Sequence, residues 1–138
     1  MEVRPFQLKD SDEVIALWKR CNLVVPANDP VKDIQRKLKV DPDLFLVGLH
    51  DGKVVASVMG GYDGHRGWLN YVAVCPDHRR KGFGRIIMEE IEKKIREKGG
   101  AKINLQVRKS NLDVIAFYNA LGFAMDDVVG MGKRLEFD

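Results

Sequence analysis

The chain has 138 residues, of which 45% are hydrophobic and 31% are charged, and its formal net charge is +3. These values are typical of a single soluble globular domain covering residues 1–138, and the small positive excess falls well short of a nucleic-acid-binding tail. Two cysteines, Cys21 and Cys75, are too few for a disulfide framework and form no metal site. We therefore expect no bound metal. Because the sequence has no membrane-spanning run and no signal peptide, we also expect a cytoplasmic protein.

The apolar pattern and the turn residues predict alternating strands and helices. In chain order, the predicted elements are a strand at residues 3–7, a helix from 10 to about 21, a helix from 30 to about 38, strands at 44–50, 53–62 and 68–74, a helix at 83–98, a strand at 102–107, a helix at 112–121, and closing strands at 123–129 and 131–137. The order predicts an α/β protein.

Two helix starts have recognisable local signals. Asp10 with Glu13 three residues later resembles a capping box. Asp29 before Pro30 fits an N-cap followed by proline at the first helical position. Both signals predict where a helix begins.

The segment after the strand at 68–74 has the composition of a phosphate site. Its basic turn contains Gly82 and Gly84 and leads directly into a predicted amphipathic helix. Glycine lets the backbone approach a ligand closely, and the first N–H groups of a helix have no partner within it. Four side chains add full positive charges, and these are Arg79, Arg80, Lys81 and Arg85.

Two common phosphate motifs do not fit this turn. The dinucleotide fingerprint needs a third glycine where Ile87 stands, and the ATPase loop needs Gly-Lys followed by Ser or Thr, which is absent. The remaining pattern, Arg79-x-x-Gly82-x-Gly84, resembles the coenzyme A pyrophosphate loop of the GNAT superfamily of N-acetyltransferases. Residues 107–123 resemble the second signature of that family, an Asn before a helix that bears Phe-Tyr and is closed by Gly-Phe. Residues 28–30 and 60–67 are similar to its small bacterial YpeA-like branch.

The resemblance implies the GNAT acyl-CoA N-acyltransferase fold, an α/β (α+β) architecture. Its central mixed, mostly antiparallel sheet of about seven strands is flanked by four helices. The resemblance also implies acetyl-CoA as cosubstrate, with its pantetheine arm admitted where the strand at 68–74 splays from the strand at 102–107. The residues implied to bind acetyl-CoA are Val72, Ala73, Val74, Arg79, Arg80, Lys81, Gly82, Phe83, Gly84, Arg85, Asn111 and Tyr118.

Two of these residues have individual implied roles. Tyr118 would be the catalytic acid that protonates the departing coenzyme A thiolate. Asn111 would contact the cofactor arm, cap the following helix, or do both. The implied reaction is direct attack of a primary amine, small or peptidyl, on the thioester. The resemblance places acceptor binding at a mouth lined by Asn28, Asp29, Tyr62 and His65.

The sequence assigns no general base. Gln106 and Trp68 stand where the ribosomal-protein N-terminal acetyltransferases and the histone-type enzymes, respectively, carry Glu, and neither side chain can act as a base. The remaining candidates are Asp29, Asp63, His65 and water held by Asn70 and Tyr71.

Two other classes of protein stay open at this point. A non-catalytic acyl-CoA-binding sensor would use the same fold, although Tyr118, whose loss would favour it, is present. A nucleic-acid-binding module would need aromatic residues among the basic ones, and Phe83, the aromatic residue there, is predicted to be buried. We therefore expect no nucleic-acid or membrane partner, and the sequence leaves a homodimer open.

Overall fold

A five-stranded mixed sheet forms the centre of the computed structural model, which describes residues 1–137. Neighbouring strands follow the chain order, so that β1 to β4 pair antiparallel and β5 pairs parallel to β4. The strands are β1 (Glu2–Pro5), β2 (Phe45–His50), β3 (Lys53–Tyr62), β4 (Gly67–Val74) and β5 (Ile103–Leu105).

Four α-helices cover the two faces of the sheet, and they are α1 (Ser11–Arg20), α2 (Pro30–Lys37), α3 (Phe83–Glu97) and α4 (Leu112–Ala120). On one face, Trp18 of α1 and Ile34 of α2 pack in a core with inward residues of the sheet. On the other face, Ile91 of α3 and Tyr118 of α4 belong to a second buried cluster. The sheet therefore separates two hydrophobic cores.

Both predicted helix starts are confirmed, since Asp10 is the N-cap of α1 and Asp29 is the N-cap of α2, but the predicted capping box between Asp10 and Glu13 is absent. The Asp29 carboxylate accepts hydrogen bonds from two amides in the first turn of α2, as expected for an N-cap. Asp10 instead accepts two hydrogen bonds from the Arg4 guanidinium, at 2.7 and 2.9 Å, and Glu13 accepts one from the amide of Val54. Both carboxylates are engaged by tertiary partners, which the local spacing does not encode.

The predicted count of about seven strands is wrong for the described residues, because the segments at 123–129 and 131–137 form no strand. A strand needs a hydrogen-bonding neighbour, and β-propensity alone does not supply one. The neighbouring strand β5 is only three residues long. Side chains hold the segment instead, since Asp126 accepts hydrogen bonds from Lys102 at 2.8 Å and Asn104 at 2.7 Å.

A β-bulge in β4 changes which side chains share a face. Met59 of β3 pairs with Asn70 and Ser57 pairs with Ala73, so β4 holds one extra residue between these two pairs. Tyr71 lies in the bulge with φ of +49°. As a result, Asn70 and Tyr71 both project toward the face covered by α1 and α2, although a regular strand would place them on opposite faces.

Adjacent glycines in β3 provide a matched test of the packing. A Cβ at Gly60 would lie 2.7 Å from Ile91 Cδ1 and 3.0 Å from the Leu44 carbonyl oxygen, whereas a Cβ at Gly61 would come no closer than 3.8 Å to Lys37 Nζ. We expect Gly60→Ala to lower the free energy of unfolding by about 1–3 kcal/mol through overpacking. Gly61→Ala should change it by less than about 1 kcal/mol. Urea unfolding of both variants would measure the difference, and equal losses would contradict the close packing of β3 on α3.

Candidate active site

A run of unpaired backbone donors surrounds the start of α3. Gly82 is the N-cap, and the amide of Ile86 is the first in this region to donate to a backbone carbonyl, that of Gly82. The N–H groups of residues 79–85 donate to no acceptor within residues 1–137. Together with the positive end of the helix dipole, these donors are suited to bind an anion. The side chains of Arg79, Arg80, Lys81 and Arg85 are exposed around it.

The two glycines of the loop serve different physical needs. Gly82 has φ of +79°, and Arg80 nearby has φ of +65°. Two residues just before the helix therefore have the left-handed backbone conformation. Gly84 is buried, and a Cβ there would lie 2.9 Å from Cζ of Phe117 on α4. The Gly84 position therefore allows close packing of α3 against α4, in addition to any contact with a ligand. Phe83 is buried as expected, at 7% exposure.

The edges of β4 and β5 separate after a short parallel pairing. Pairing covers Gly67–Leu69 of β4, while β4 itself continues to Val74. The Cys75 amide bonds to the Val55 carbonyl of β3, and Ala73 pairs with Ser57, so the backbone groups of Val72 and Val74 face away from β3. The Val74 carbonyl accepts from the Cys21 thiol at 3.4 Å. The gap between β4 and β5 offers a strand edge to an extended ligand. The backbone of Ala73 faces β3 instead.

Tyr118 on α4 has a buried ring and an available hydroxyl. The ring, 7% exposed, packs edge-on against Phe117 and Phe123. Its hydroxyl makes no hydrogen bond within residues 1–137. The hydroxyl oxygen is not among the fully buried polar atoms of the described chain, so it remains accessible. Burial raises the pKa of Tyr118 to about 12, so the hydroxyl keeps its proton at neutral pH. It is therefore able to donate that proton to a ligand.

Asn111 caps α4, with its side-chain oxygen 3.4 Å from the amide nitrogen of Val114. Its side-chain amide group makes no hydrogen bond within the described chain and stays available to a ligand. The geometry is therefore compatible with both roles that the sequence left open for Asn111.

A cleft of about 570 Å³ lies on the other face of the sheet, between α2 and the strands β3 and β4. At its base, the Tyr71 hydroxyl donates to Asp33 and accepts from the Asn28 side-chain amide. Asn28 also holds its own loop, since its oxygen accepts from the amide of Val25 at 2.8 Å. Burial, followed by the hydrogen bond to Asp33, raises the pKa of Tyr71. The lining residues are Asn28, Asp33, Arg36, Lys37, Met59, Asn70 and Tyr71.

The structure brings only one of the four predicted acceptor residues into this lining, and that residue is Asn28. Asp29 caps α2 beside it. Tyr62 packs with the core under α3, and His65 is exposed in the β3–β4 turn, where its backbone amide donates to Asp63. Hydrogen bonds from the amides of Arg66 and His65 lower the pKa of Asp63. Roles for Asp29, Tyr62 and His65 in acceptor binding stay predictions.

The lining residues that sequence reasoning missed include two cations of α2, Arg36 and Lys37. They follow Asp33 by three and four residues, which places all three on one side of a helix. This spacing was the available signal, but it could not show that the same side faces a cleft.

Comparison with known proteins identifies the family of this chain. The chain matches the model of the acetyltransferase (GNAT) family over residues 11–123. An acetyltransferase of Yersinia pestis (strain Pestoides F) is 49% identical over 138 residues, which covers 100% of this chain and 98% of the relative. An acetyltransferase of Sodalis glossinidius is 52% identical over 136 residues, or 98% and 96% of the two chains. The crystal structure of Ard1 from Thermoplasma volcanium has the same fold, with a TM-score of 0.75 and 23% identity over 91% of this chain and 83% of that one.

These findings define the class of protein. The mixed α+β fold and the relatives are those of an acetyltransferase. The chain belongs to the acetyltransferase (GNAT) family and is an acetyltransferase. The family implies acetyl-CoA as donor and a second molecule as acceptor, and the unpaired amides of residues 79–85 fit the diphosphate of that donor. The recognised family and the α+β fold class are confirmed, with five strands in place of about seven.

No helix within residues 1–137 is long and apolar enough to cross a membrane. Over the same range, no group of three or more His, Cys, Asp or Glu side chains is placed to hold a metal ion.

Two double variants with the same net charge can test whether binding of acetyl-CoA depends on where the positive charge lies. We expect the double variant Arg80→Gln and Arg85→Gln to bind acetyl-CoA at least about tenfold more weakly, because charge-assisted contacts to phosphate are lost. The control is Lys93→Gln with Arg96→Gln, which removes the same charge from exposed positions farther along α3. Its affinity should change less than about twofold. Isothermal titration calorimetry would measure both, and equal weakening would show that only overall charge matters.

Proposed function

We propose that the protein is an N-acetyltransferase that transfers the acetyl group of acetyl-CoA to a primary amine by direct attack in a ternary complex. One observation carries the proposal: the acceptor cleft and the gap between β4 and β5 meet at the same residues. Pairing with β5 ends at Leu69, and the next two residues, Asn70 and Tyr71, line the cleft. A donor held in the gap and an acceptor in the cleft would therefore meet at the edge of the sheet.

The donor side offers binding groups along the length of a coenzyme A molecule. The amides of residues 79–85 would hold the diphosphate, and the backbone of Val72 and Val74 would hold the extended arm. Asn111 and Tyr118 lie on α4, which packs on the same face as α3. In the reaction, the amine nitrogen bonds to the acetyl carbon, the carbon–sulfur bond breaks, the amine loses one proton and the thiolate gains one. The Tyr118 hydroxyl would supply the proton to sulfur.

The proton from the amine needs a separate route, because only the neutral amine attacks. A lysine-like amine has a pKa of about 10.4, so deprotonation limits the reaction at neutral pH. The acidic residues near the cleft are occupied: Asp33 accepts from Tyr71 and Arg36, and Asp29 caps α2. Asp63 is held by backbone amides that lower its pKa. We therefore favour loss of the proton to water bound by Asn70 and Tyr71.

The acid role of Tyr118 predicts a specific kinetic effect. Tyr118→Phe should keep affinity for acetyl-CoA and lower kcat by about 10²–10⁴-fold, the usual range for a general acid or base. The ring packing against Phe117 and Phe123 remains, so the variant should stay folded. Steady-state kinetics at saturating acetyl-CoA and calorimetric binding would measure the two effects. The absence of a pre-steady-state burst would show that product release does not limit kcat. Under that condition, an unchanged kcat would mean that Tyr118 only packs in the core.

The route of the amine proton predicts a pH profile. If water accepts the proton, the rising limb of kcat/KM should follow the pKa of the acceptor, and two amines of different pKa should give two different limbs. Because the pKa of Tyr118 is about 12, the acid stays protonated and no falling limb should appear below pH of about 11. A limb fixed at one value for both amines would indicate an enzymic base, and His65 would then be the first residue to replace.

A further inference from the structure

The cleft beside Tyr71 carries more positive than negative charge. Arg36 and Lys37 are the cations among its lining residues, and Asp33 is the acid. A second cleft shares Arg36 and continues the positive surface. The additional charged residues of that second cleft are Lys133, Arg134 and Glu136.

The one acid of the first cleft is already neutralised by its neighbours. Asp33 accepts a hydrogen bond from the Tyr71 hydroxyl and another from the Arg36 guanidinium at 3.3 Å. An ammonium group entering the cleft would compete with both partners for this carboxylate. Asp33 is therefore poorly placed to attract a cationic amine, and the excess of positive charge in the cleft favours a ligand of the opposite sign.

Lys37 is the unsatisfied cation. Its side chain is partly buried, and its ammonium makes no hydrogen bond or ion pair within residues 1–137. The acids whose charge favours its protonated form, Asp41 and Asp43, pair with Lys98 at 3.6 and 3.1 Å. Burial lowers the pKa of Lys37. Its nitrogen lies over β3, 3.8 Å from where a Cβ of Gly61 would be. A partly buried charge without a partner is costly and is suited to bind an anion.

We propose that the acceptor is a small primary amine that also carries an anionic oxygen group, a carboxylate or a phosphate, which Lys37 binds. The inference rests on the proposed N-acetyltransferase function and specifies its substrate class. The group bound by Lys37 is the non-reacting end of the acceptor, while the amine reaches the sheet edge at Asn70 and Tyr71. The cleft of about 570 Å³ has the size of pockets that enclose small molecules.

The same geometry selects against other amines. A diamine or a polycationic amine would place a second positive charge beside Lys37 and Arg36, where like charges repel. A neutral amine alcohol would leave the Lys37 ammonium without a partner. The order of catalytic efficiency should therefore be anionic amines first, neutral amines second and polycationic amines last.

A panel of matched amines tests this order. The carboxylate arm compares β-alanine with β-alaninamide, and the phosphate arm compares O-phosphoethanolamine with ethanolamine, while putrescine represents the diamines. Thiol release from acetyl-CoA would give kcat/KM, referred to the concentration of neutral amine so that differences in amine pKa cancel. We expect the kcat/KM of one anionic amine to exceed that of its neutral partner by about 10–100-fold, which corresponds to the free energy of a charge-assisted hydrogen bond. Whichever comparison, carboxylate or phosphate, gives the larger ratio of anionic to neutral kcat/KM identifies the anionic group that the cleft binds.

Variants of α2 then assign the preference to one residue. Lys37→Met should reduce the ratio of anionic to neutral amine to near one, mainly through KM, and Lys37→Arg should retain most of it. Lys32→Met, at an exposed position on the same helix and outside the cleft lining, should leave the ratio unchanged. Thermal unfolding would confirm that each variant is folded. If Lys37 served as a base instead, Lys37→Arg would lower kcat for every amine.

The outcomes separate the two proposals. Equal or better turnover of the neutral amines or putrescine by the wild-type protein would overturn the anionic acceptor and leave the N-acetyltransferase function standing. A preference for anionic amines that survives Lys37→Met would overturn the role of Lys37. Absence of thiol release with every amine, in protein that binds acetyl-CoA, would contradict the proposed function, and the inference that rests on it would fall with it.

Discussion

A buried hydrogen-bonded chain at the bulge of β4 fixes the position of the site. The Trp18 indole N–H donates to the Ser57 hydroxyl, and that hydroxyl donates to the Tyr71 carbonyl, each at 2.8 Å. The bulge removes Tyr71 from the regular ladder, so its carbonyl would otherwise be buried without a partner, at a cost of about 1–3 kcal/mol. The Trp18 ring also stacks on the Tyr71 ring with centroids 3.8 Å apart. Helix α1 thus holds the distorted part of β4 in place.

Several features of the site depend on that distortion. The extra residue turns Asn70 and Tyr71 toward the same face, and there the Tyr71 hydroxyl joins Asn28 and Asp33. The bulge also follows directly after the last pair between β4 and β5 at Leu69. The cleft beside α2 and the unpaired edge of β4 are therefore adjacent in the structure.

The loop that precedes α3 combines local and tertiary constraints. Its left-handed residues and free amides follow from the glycine at the N-cap, a feature of the chain itself. The packing of Gly84 against Phe117 is different, because it places α4 close enough for Tyr118 to lie beside the same core as α3. A residue that appears in the sequence as part of a phosphate motif thereby also sets the distance between two helices.

By itself, the sequence determined the family, the order of the helices and the first five strands, and the helix starts at Asp10 and Asp29, since these depend on periodicity and on contacts a few residues apart. The anion-binding role of the turn before α3 stays a prediction. Only the tertiary structure decided the rest. The bulge, the hydrogen bond of Glu13 to Val54, the absence of strands in residues 123–137 and the exposure of Lys37 to the cleft depend on partners distant in the chain. Hydrogen bonds and burial between remote segments have no signature in local spacing, so residues with equal propensity take different roles once the sheet is assembled.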